Sequence, residues 1–261
     1  MDCNLFGKNA LVCGSSKGIG KAAAKVLAEL GANVTLVARS ANILPQVLSE
    51  LPVVSNQDHD FLVADFTDLK DVSRKVKTLC ATKPIHILVN NTGGPKSGSI
   101  ISASPAEFLD GFQKHVLISQ TLVQLVLEGM KKSNYGRIVN IISTSVKEPI
   151  PGLGVSNTIR GAMGNWSKTM ATELAPFGIT VNNVLPGFTA TDRLFSLMEA
   201  RAKAIDVEPE VIEKQWLNTV PMRRFAQPKE VAAAIGFLSM PAAGYITGIN
   251  IPVDGGRTKS L

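Results

Sequence analysis

Short runs of β-branched and aliphatic residues alternate with longer segments of helical period along the whole of this 261-residue chain. Asn9 to Cys13 reads as a strand, and Gly18 to Leu30 as a helix closed by Gly31. Further strands are expected at Asn33 to Val37, His59 to Ala64, Ile85 to Val89, Arg137 to Ile142, Gly178 to Val184 and Asn250 to Val253. Helices are expected at Asn42 to Leu51, Leu69 to Ala81, 105–132, 155–175 and Lys229 to Leu238, with Ser104 as N-cap and Pro105 in the first turn of the long one. Residues 190–218 read as a helical insertion. Few folds accept this alternation. Parallel strands joined by right-handed crossovers need helices on both faces, which predicts an α/β, doubly wound sheet of about seven strands.

Ligands of such sheets sit beyond the carboxyl ends of the strands. The first of those loops is Gly14-Ser15-Ser16-Lys17-Gly18-Ile19-Gly20, directly after a strand and opening a helix. Three glycines let the backbone turn sharply and come close to a pyrophosphate, and the helix N-terminus adds free N–H groups and partial positive charge. The expectation is a Rossmann fold with a dinucleotide at Gly14, Ser16, Lys17, Gly18, Ile19 and Gly20. An NAD site wants an acid about 20 residues further on, for the ribose 2′-hydroxyl. Here the second strand ends in Val37-Ala38-Arg39-Ser40. Arg39 and Lys17 suit a 2′-phosphate, with Ser40 beside them, so NADP(H) is expected over NAD(H).

At 45% hydrophobic and 18% charged residues, the chain can bury one sizeable core. No Pro/Gly/Ser-rich linker or charge block divides it, so one domain over 1–261 is expected, with the 190–218 insertion as a lid over the substrate. Lys and Arg outnumber Asp and Glu by 27 to 21, a balance that suits an anionic small ligand. Basic runs stop at pairs and aromatics are sparse, which argues against nucleic acid. Three cysteines, Cys3, Cys13 and Cys80, fit neither a zinc site nor a disulfide framework. No metal is expected. The N-terminal residues lack a signal-peptide layout, and no apolar run is long enough to span a membrane. A cytoplasmic protein without membrane contact is the expectation.

With the glycine loop in place, further motifs line up in order. Leu88-Val89-Asn90-Asn91-Thr92-Gly93, Gly136 to Ser143, Val181 to Gly187, Tyr245-Ile246-Thr247-Gly248 and Val253-Asp254-Gly255-Gly256 resemble the signatures of the short-chain dehydrogenase/reductase family. The branch most similar is that of β-ketoacyl-acyl-carrier-protein reductases. The resemblance covers nearly the whole chain. It implies an NADP(H)-dependent oxidoreductase that reduces a small-molecule carbonyl, such as a 3-oxoacyl thioester, or oxidises an alcohol. It further implies Asp65 and Phe66 near the adenine, and Asn90, Asn91 and Gly93 near the adenosine ribose. Pro186, Gly187, Thr189 and Thr191 would border the nicotinamide and its phosphate. A homodimer or homotetramer, joined through the long helices, is also implied. Simpler roles stay open: Asp65 as a helix cap, and Asn90 and Asn91 as ties between strands.

The chain departs from the family at the reacting centre. Ser143 matches the family serine, which bonds the substrate carbonyl. Ser156 and Arg160 stand where the family has Tyr and Lys of its Y-x-x-x-K motif, and His115 aligns with its helix asparagine. A serine hydroxyl is a far poorer acid than the phenol. Arginine stays charged but offers fixed donors for a ribose and a developing alkoxide. His115, as a group titrating near neutrality, and Lys147, beside Glu148 after Ser143, are the candidate proton sources. The other reading is a cofactor-binding sensor or partner subunit without redox chemistry. On the lid, Phe195, Met198 and Trp216 either line a pocket or pack the lid down.

Overall fold

The computed structural model describes residues 2–260. Seven strands, all parallel, form one sheet in the order β3-β2-β1-β4-β5-β6-β7. They are β1 (Asn9–Cys13), β2 (Asn33–Ala38), β3 (Asp60–Val63), β4 (Ile87–Asn90), β5 (Gly136–Ile141), β6 (Ile179–Pro186) and β7 (Asn250–Val253). The chain starts in the middle, winds out to β3, then returns past β1 to build the other half. The reversal between β1 and β4 opens a crevice at their carboxyl ends, where the glycine loop lies.

Alternation along the buried strands sorts side chains onto two faces. Ala10 and Val12 of β1 join one apolar layer with α1 (Gly18–Glu29), α2 (Leu44–Ser49) and α9 (Pro228–Ser239). Leu11 and Cys13 join the other, with α3 (Leu69–Thr82), α5 (Ile118–Lys132) and α6 (Gly154–Leu174). Both layers contain side chains that are fully buried, as expected where helices cover both faces. Gly31, at φ +97°, ends α1.

Two expected elements differ. The long helix over 105–132 is interrupted: α4 (Pro105–Phe112) runs into a π turn (Gln113–Leu117) before α5 begins. Ser104 does cap α4, with Glu107 accepting from its backbone N–H at 2.8 Å. Residues 190–218 form two helices, α7 (Asp192–Ala204) and α8 (Pro209–Asn218), which pack through Met198, Ala202 and Ile212. They thus have a small core of their own, outside the two main layers.

Asparagines are poor strand formers, yet four stand in register across β4 to β7. Asn90 pairs with Asn140, Asn140 with Asn183, and Asn183 with Asn250. Their side chains hydrogen-bond in series. Asn90 Nδ2 donates to Asn140 Oδ1 at 2.8 Å, Asn140 Nδ2 to Asn183 Oδ1 at 3.1 Å, and Asn183 Nδ2 to Asn250 Oδ1 at 2.8 Å. Asn140 also donates to Ser167 Oγ on α6. Asn140→Ala leaves the buried side-chain amide N–H of Asn90 without its acceptor, while Asn183 Oδ1 keeps the bond from Ser167 Oγ. It is expected to cost about 2–3 kcal/mol in urea denaturation, against near-neutrality for substitutions at exposed positions.

Candidate active site

The glycine loop is shaped by close approach. Gly14 and Gly18 hold φ of +60° and +57°, where a side chain is strained. A Cβ on Gly20 would lie 2.1 Å from the Gly14 carbonyl oxygen. Asn91, in the loop after β4, donates to that same carbonyl at 3.2 Å. Ser15, fully buried, accepts at Oγ from the Val37 N–H at 2.9 Å and so pins the loop to the end of β2. Sequence reading passed over Ser15; its signal was a small polar residue just past a buried strand. No side chain caps α1, so the first-turn N–H groups at Gly18, Ile19 and Gly20 open onto the crevice beside Ser16. A tight turn, absent side chains and an uncapped helix N-terminus fit a dinucleotide pyrophosphate.

At the adenosine end, β2 finishes without an acid, and Arg39 is exposed there with Ser40 half-buried. Asp65 accepts from the backbone N–H and the hydroxyl of Thr67, both at 2.9 Å. The Thr67 N–H holds its carboxyl below the usual range, with a further push from the charge of Arg39. Asp68 caps α3, accepting from Asp71 N–H, so Asp65 is not needed as the cap. Phe66 packs against the layer of α3 and α5. Lys17 is held elsewhere: its Nζ lies 2.9 Å from Asp192 at the start of α7, both side chains well exposed. Pairing of Lys17 with a 2′-phosphate therefore requires that ion pair to open.

Of the asparagine pair, Asn90 is buried in the sheet ladder and ties strands together, as the simpler role has it, while Asn91 clamps the glycine loop. Gly93 is exposed on the loop beyond them. Pro186 ends β6, and Gly187 packs where a Cβ would meet Asp254 at 2.7 Å. Thr189 is buried, and Thr191 caps α7 with its methyl over Gly18.

The reacting-centre candidates fall into two groups. His115 and Arg160 border one small cavity together with Asn90, Asn91, Thr92 and Ser119. Arg160 is 8% exposed and donates from Nη1 to the Ile141 carbonyl at 3.0 Å, which fixes it at the end of β5. Burial and the charge of Arg193 lower its pKa to about 10, which leaves it cationic at neutral pH. His115 sits in the π turn, with Nδ1 2.6 Å from Thr92 Oγ1. Sequence reading named neither Thr92 nor Arg193 as a site residue. Ser143, Ser156 and Lys147 stand outside this cavity's lining. Ser143 accepts from Ser145 N–H at 3.1 Å and keeps its own proton to donate. Ser156 lies in the first turn of α6, one turn before Arg160 and on the same helix face.

One expectation about proton sources needs correction. His115 does not titrate near neutrality: burial, then the charges of Arg160 and Lys114, depress its pKa to about 2, so the ring stays neutral. Glu148, beside Lys147, accepts from the backbone N–H groups of Lys259 and Ser260. Neither tyrosine is available. Tyr135 is buried just before the amino end of β5, its hydroxyl bonded to the Ser239 carbonyl, and Tyr245 is fully exposed. On the lid, Met198 is buried in the lid's own core, Trp216 stacks on Phe188 at 4.8 Å, and Phe195 is 42% exposed.

The depressed His115 pKa has a consequence for stability. Below about pH 6.5 the unfolded chain binds a proton at this ring that the folded chain refuses, so stability falls as pH drops, by about 1.4 kcal/mol per unit. Urea midpoints taken between pH 7 and 5 are expected to show a shallower loss in His115→Asn. The slope due to buried His86, also depressed, remains in both proteins. Separately, Gly20→Ala is expected to abolish nucleotide binding, read by NADPH fluorescence, because its methyl meets the Gly14 carbonyl.

Comparison with known proteins agrees with this geometry. Residues 14–258 match the family model described as enoyl-(acyl carrier protein) reductase. The 3-oxoacyl-(acyl-carrier-protein) reductase FabG of Vibrio harveyi is 34% identical, covering 97% of this chain and 98% of that protein. The NADPH-dependent reductase BacG of Bacillus subtilis is 28% identical, covering 97% and 99%. The crystal structure of L-sorbose reductase from Gluconobacter frateurii, complexed with NADPH and L-sorbose, superposes over the full length of both chains with a TM-score of 0.92 at 28% identity. With the family model spanning nearly all of the sequence and the seven-stranded crevice built as described, this chain belongs to the short-chain dehydrogenase/reductase family of oxidoreductases.

Proposed function

We propose that the chain is an NADPH-preferring reductase of a small carbonyl compound, a 3-oxoacyl thioester being the leading class. The observation that carries the cofactor choice is the end of β2, where no acid stands and Arg39 does. The glycine cradle, Arg39 and Ser40 would hold the nucleotide. Asp65 and Phe66 would flank the adenine, with Asn91, Gly93, Pro186, Gly187, Thr189 and Thr191 along the rest of it. The bound cofactor supplies a hydride to the carbonyl carbon. Ser143 would donate to the carbonyl oxygen and Arg160 would hold the ribose and stabilise negative charge developing on that oxygen. The oxygen must also gain a proton. His115, held neutral, is not its source by titration. Ser156 takes the tyrosine's place and Lys147 is the remaining cationic candidate. A missing phenol is expected to slow the chemical step by about 10²–10⁴.

The reading extends to assembly and place. The whole chain acts as one domain with α7 and α8 as its lid. Leu109 is 72% exposed and Phe112 and Leu117 about two-fifths exposed along α4 and the π turn after it, which supports a homodimer or homotetramer joined through this stretch. Among the described residues no helix is long and apolar enough to cross a membrane. The three free cysteines suit the reducing cytoplasm.

Following NADPH oxidation with 3-oxoacyl thioesters, diketones and sugars, with NADH in parallel, tests this directly. Turnover that favours NADPH is expected, with kcat/KM reduced about tenfold or more in Ser143→Ala. Arg39→Asp is expected to raise the KM for NADPH about tenfold or more while leaving NADH little affected. Tight NADPH binding without turnover of any carbonyl would overturn the reductase reading.

A further inference from the structure

Two guanidinium groups converge beside the reacting centre, and among the described residues no carboxylate is paired with either. A Cβ on Gly94 would lie 3.7 Å from Arg160 Nη2 and 3.9 Å from Arg193 Nη2. The two groups reach this point from different elements. Arg160 comes up from α6, buried, with its Nε lacking any protein partner. Arg193 comes across from the first turn of α7, held by a bond from Nη2 to the Pro95 carbonyl at 2.9 Å.

Like charges this close repel, and the charge of Arg193 adds to burial, the larger cause, in lowering the pKa of Arg160. Three acids have partners of their own. Asp192, adjacent to Arg193, is paired with Lys17. Glu107 closes the cap of α4, and Asp254 accepts from the N–H groups of Gly256 and Thr258. Gly94 is exposed and has no side chain to occupy the space between the two forks. Guanidinium groups bind oxyanions through paired, charge-assisted hydrogen bonds, and two of them around one open point form a fitted clamp for such a group.

We propose that Arg160 and Arg193 form an oxyanion-binding site over Gly94, which takes an anionic group of a molecule bound in the crevice. The oxyanion has two possible sources, a carboxylate on the substrate or a phosphate of the nucleotide. Ser156 lies one helical turn from Arg160, which sets the site beside the reacting carbonyl and favours the substrate. Under that source the enzyme selects carbonyl compounds bearing a nearby negative charge. This assignment to the substrate rests on the reductase reading above; the site itself does not.

Binding measurements test it without needing turnover. Malonate, its neutral diamide and NADPH are each titrated calorimetrically into the protein at low ionic strength, malonate both with and without NADPH present. The same series is run on Arg193→Met and Arg193→Lys, with thermal unfolding as the check that both variants fold. The expected result is that malonate binds the NADPH complex and the diamide does not. Arg193→Met then weakens malonate about tenfold or more, Arg193→Lys restores part of the loss, and NADPH affinity is unchanged. If instead NADPH displaces malonate and Arg193→Met weakens NADPH by a similar factor, the site stands and the nucleotide phosphate is its ligand. Equal affinities of wild type and Arg193→Met for both malonate and NADPH would overturn the proposal and leave Arg193 as a strap on Pro95. Failure of every carbonyl to turn over, with these binding results intact, would count against the reductase reading alone.

Discussion

The bond from Asn91 to the Gly14 carbonyl joins the two loops on either side of the point where the sheet reverses direction. The loop after β1 and the loop after β4 have no covalent reason to stay together, and the crevice between them is where a doubly wound sheet binds its ligand. The contact works only because Gly14 and Gly20 lack side chains, and because Ser15 anchors the same loop to β2. Beyond it, the asparagine ladder from Asn90 to Asn250 ties four adjacent strands in register. The shape of the binding crevice is therefore set by buried polar bonds laid over an apolar core. The core supplies most of the stability and the polar bonds supply the alignment.

The reacting centre follows a different logic. Where the family resemblance implies a phenol and an ammonium, this chain has Ser156 and the buried guanidinium of Arg160. Its own burial first, and then the buried cation of Arg160, keep the His115 imidazole neutral, so His115 and Arg160 belong to one electrostatic unit. Thr92 completes that unit by bonding His115 Nδ1. The π turn makes this possible, because it places His115 at the cavity from a helix that would otherwise run straight past. The unit lacks a group that could release a proton near neutral pH.

Most of the architecture was legible in the sequence. Strand positions follow from short β-branched runs, and the two-faced burial of β1 is visible in its unbroken apolar pattern. The crevice follows from glycines placed between a strand and a helix. The loss of the tyrosine was also plain, since the chain has only two and neither stands at the expected spacing. The break in the helix over 105–132 was not legible: an extra residue in a turn leaves no mark on composition and barely disturbs the apolar period. Nor was the in-register asparagine ladder, because pairing across strands depends on crossover lengths and not on local pattern.

What the sequence by itself determined is the order of elements and the glycine turn between the first strand and the first helix. These are local properties, carried by spacing and by the chemistry of single side chains. Only the tertiary structure decided how charges behave once brought together. It committed Lys17 to Asp192 and Glu148 to the backbone near the C-terminus, held His115 neutral beside Arg160, and brought Arg193 from α7 to face Arg160 over Gly94. The reason is physical. A side chain's charge state and partner depend on solvent exclusion and on neighbours distant in sequence, and neither exists until the helices close over the sheet.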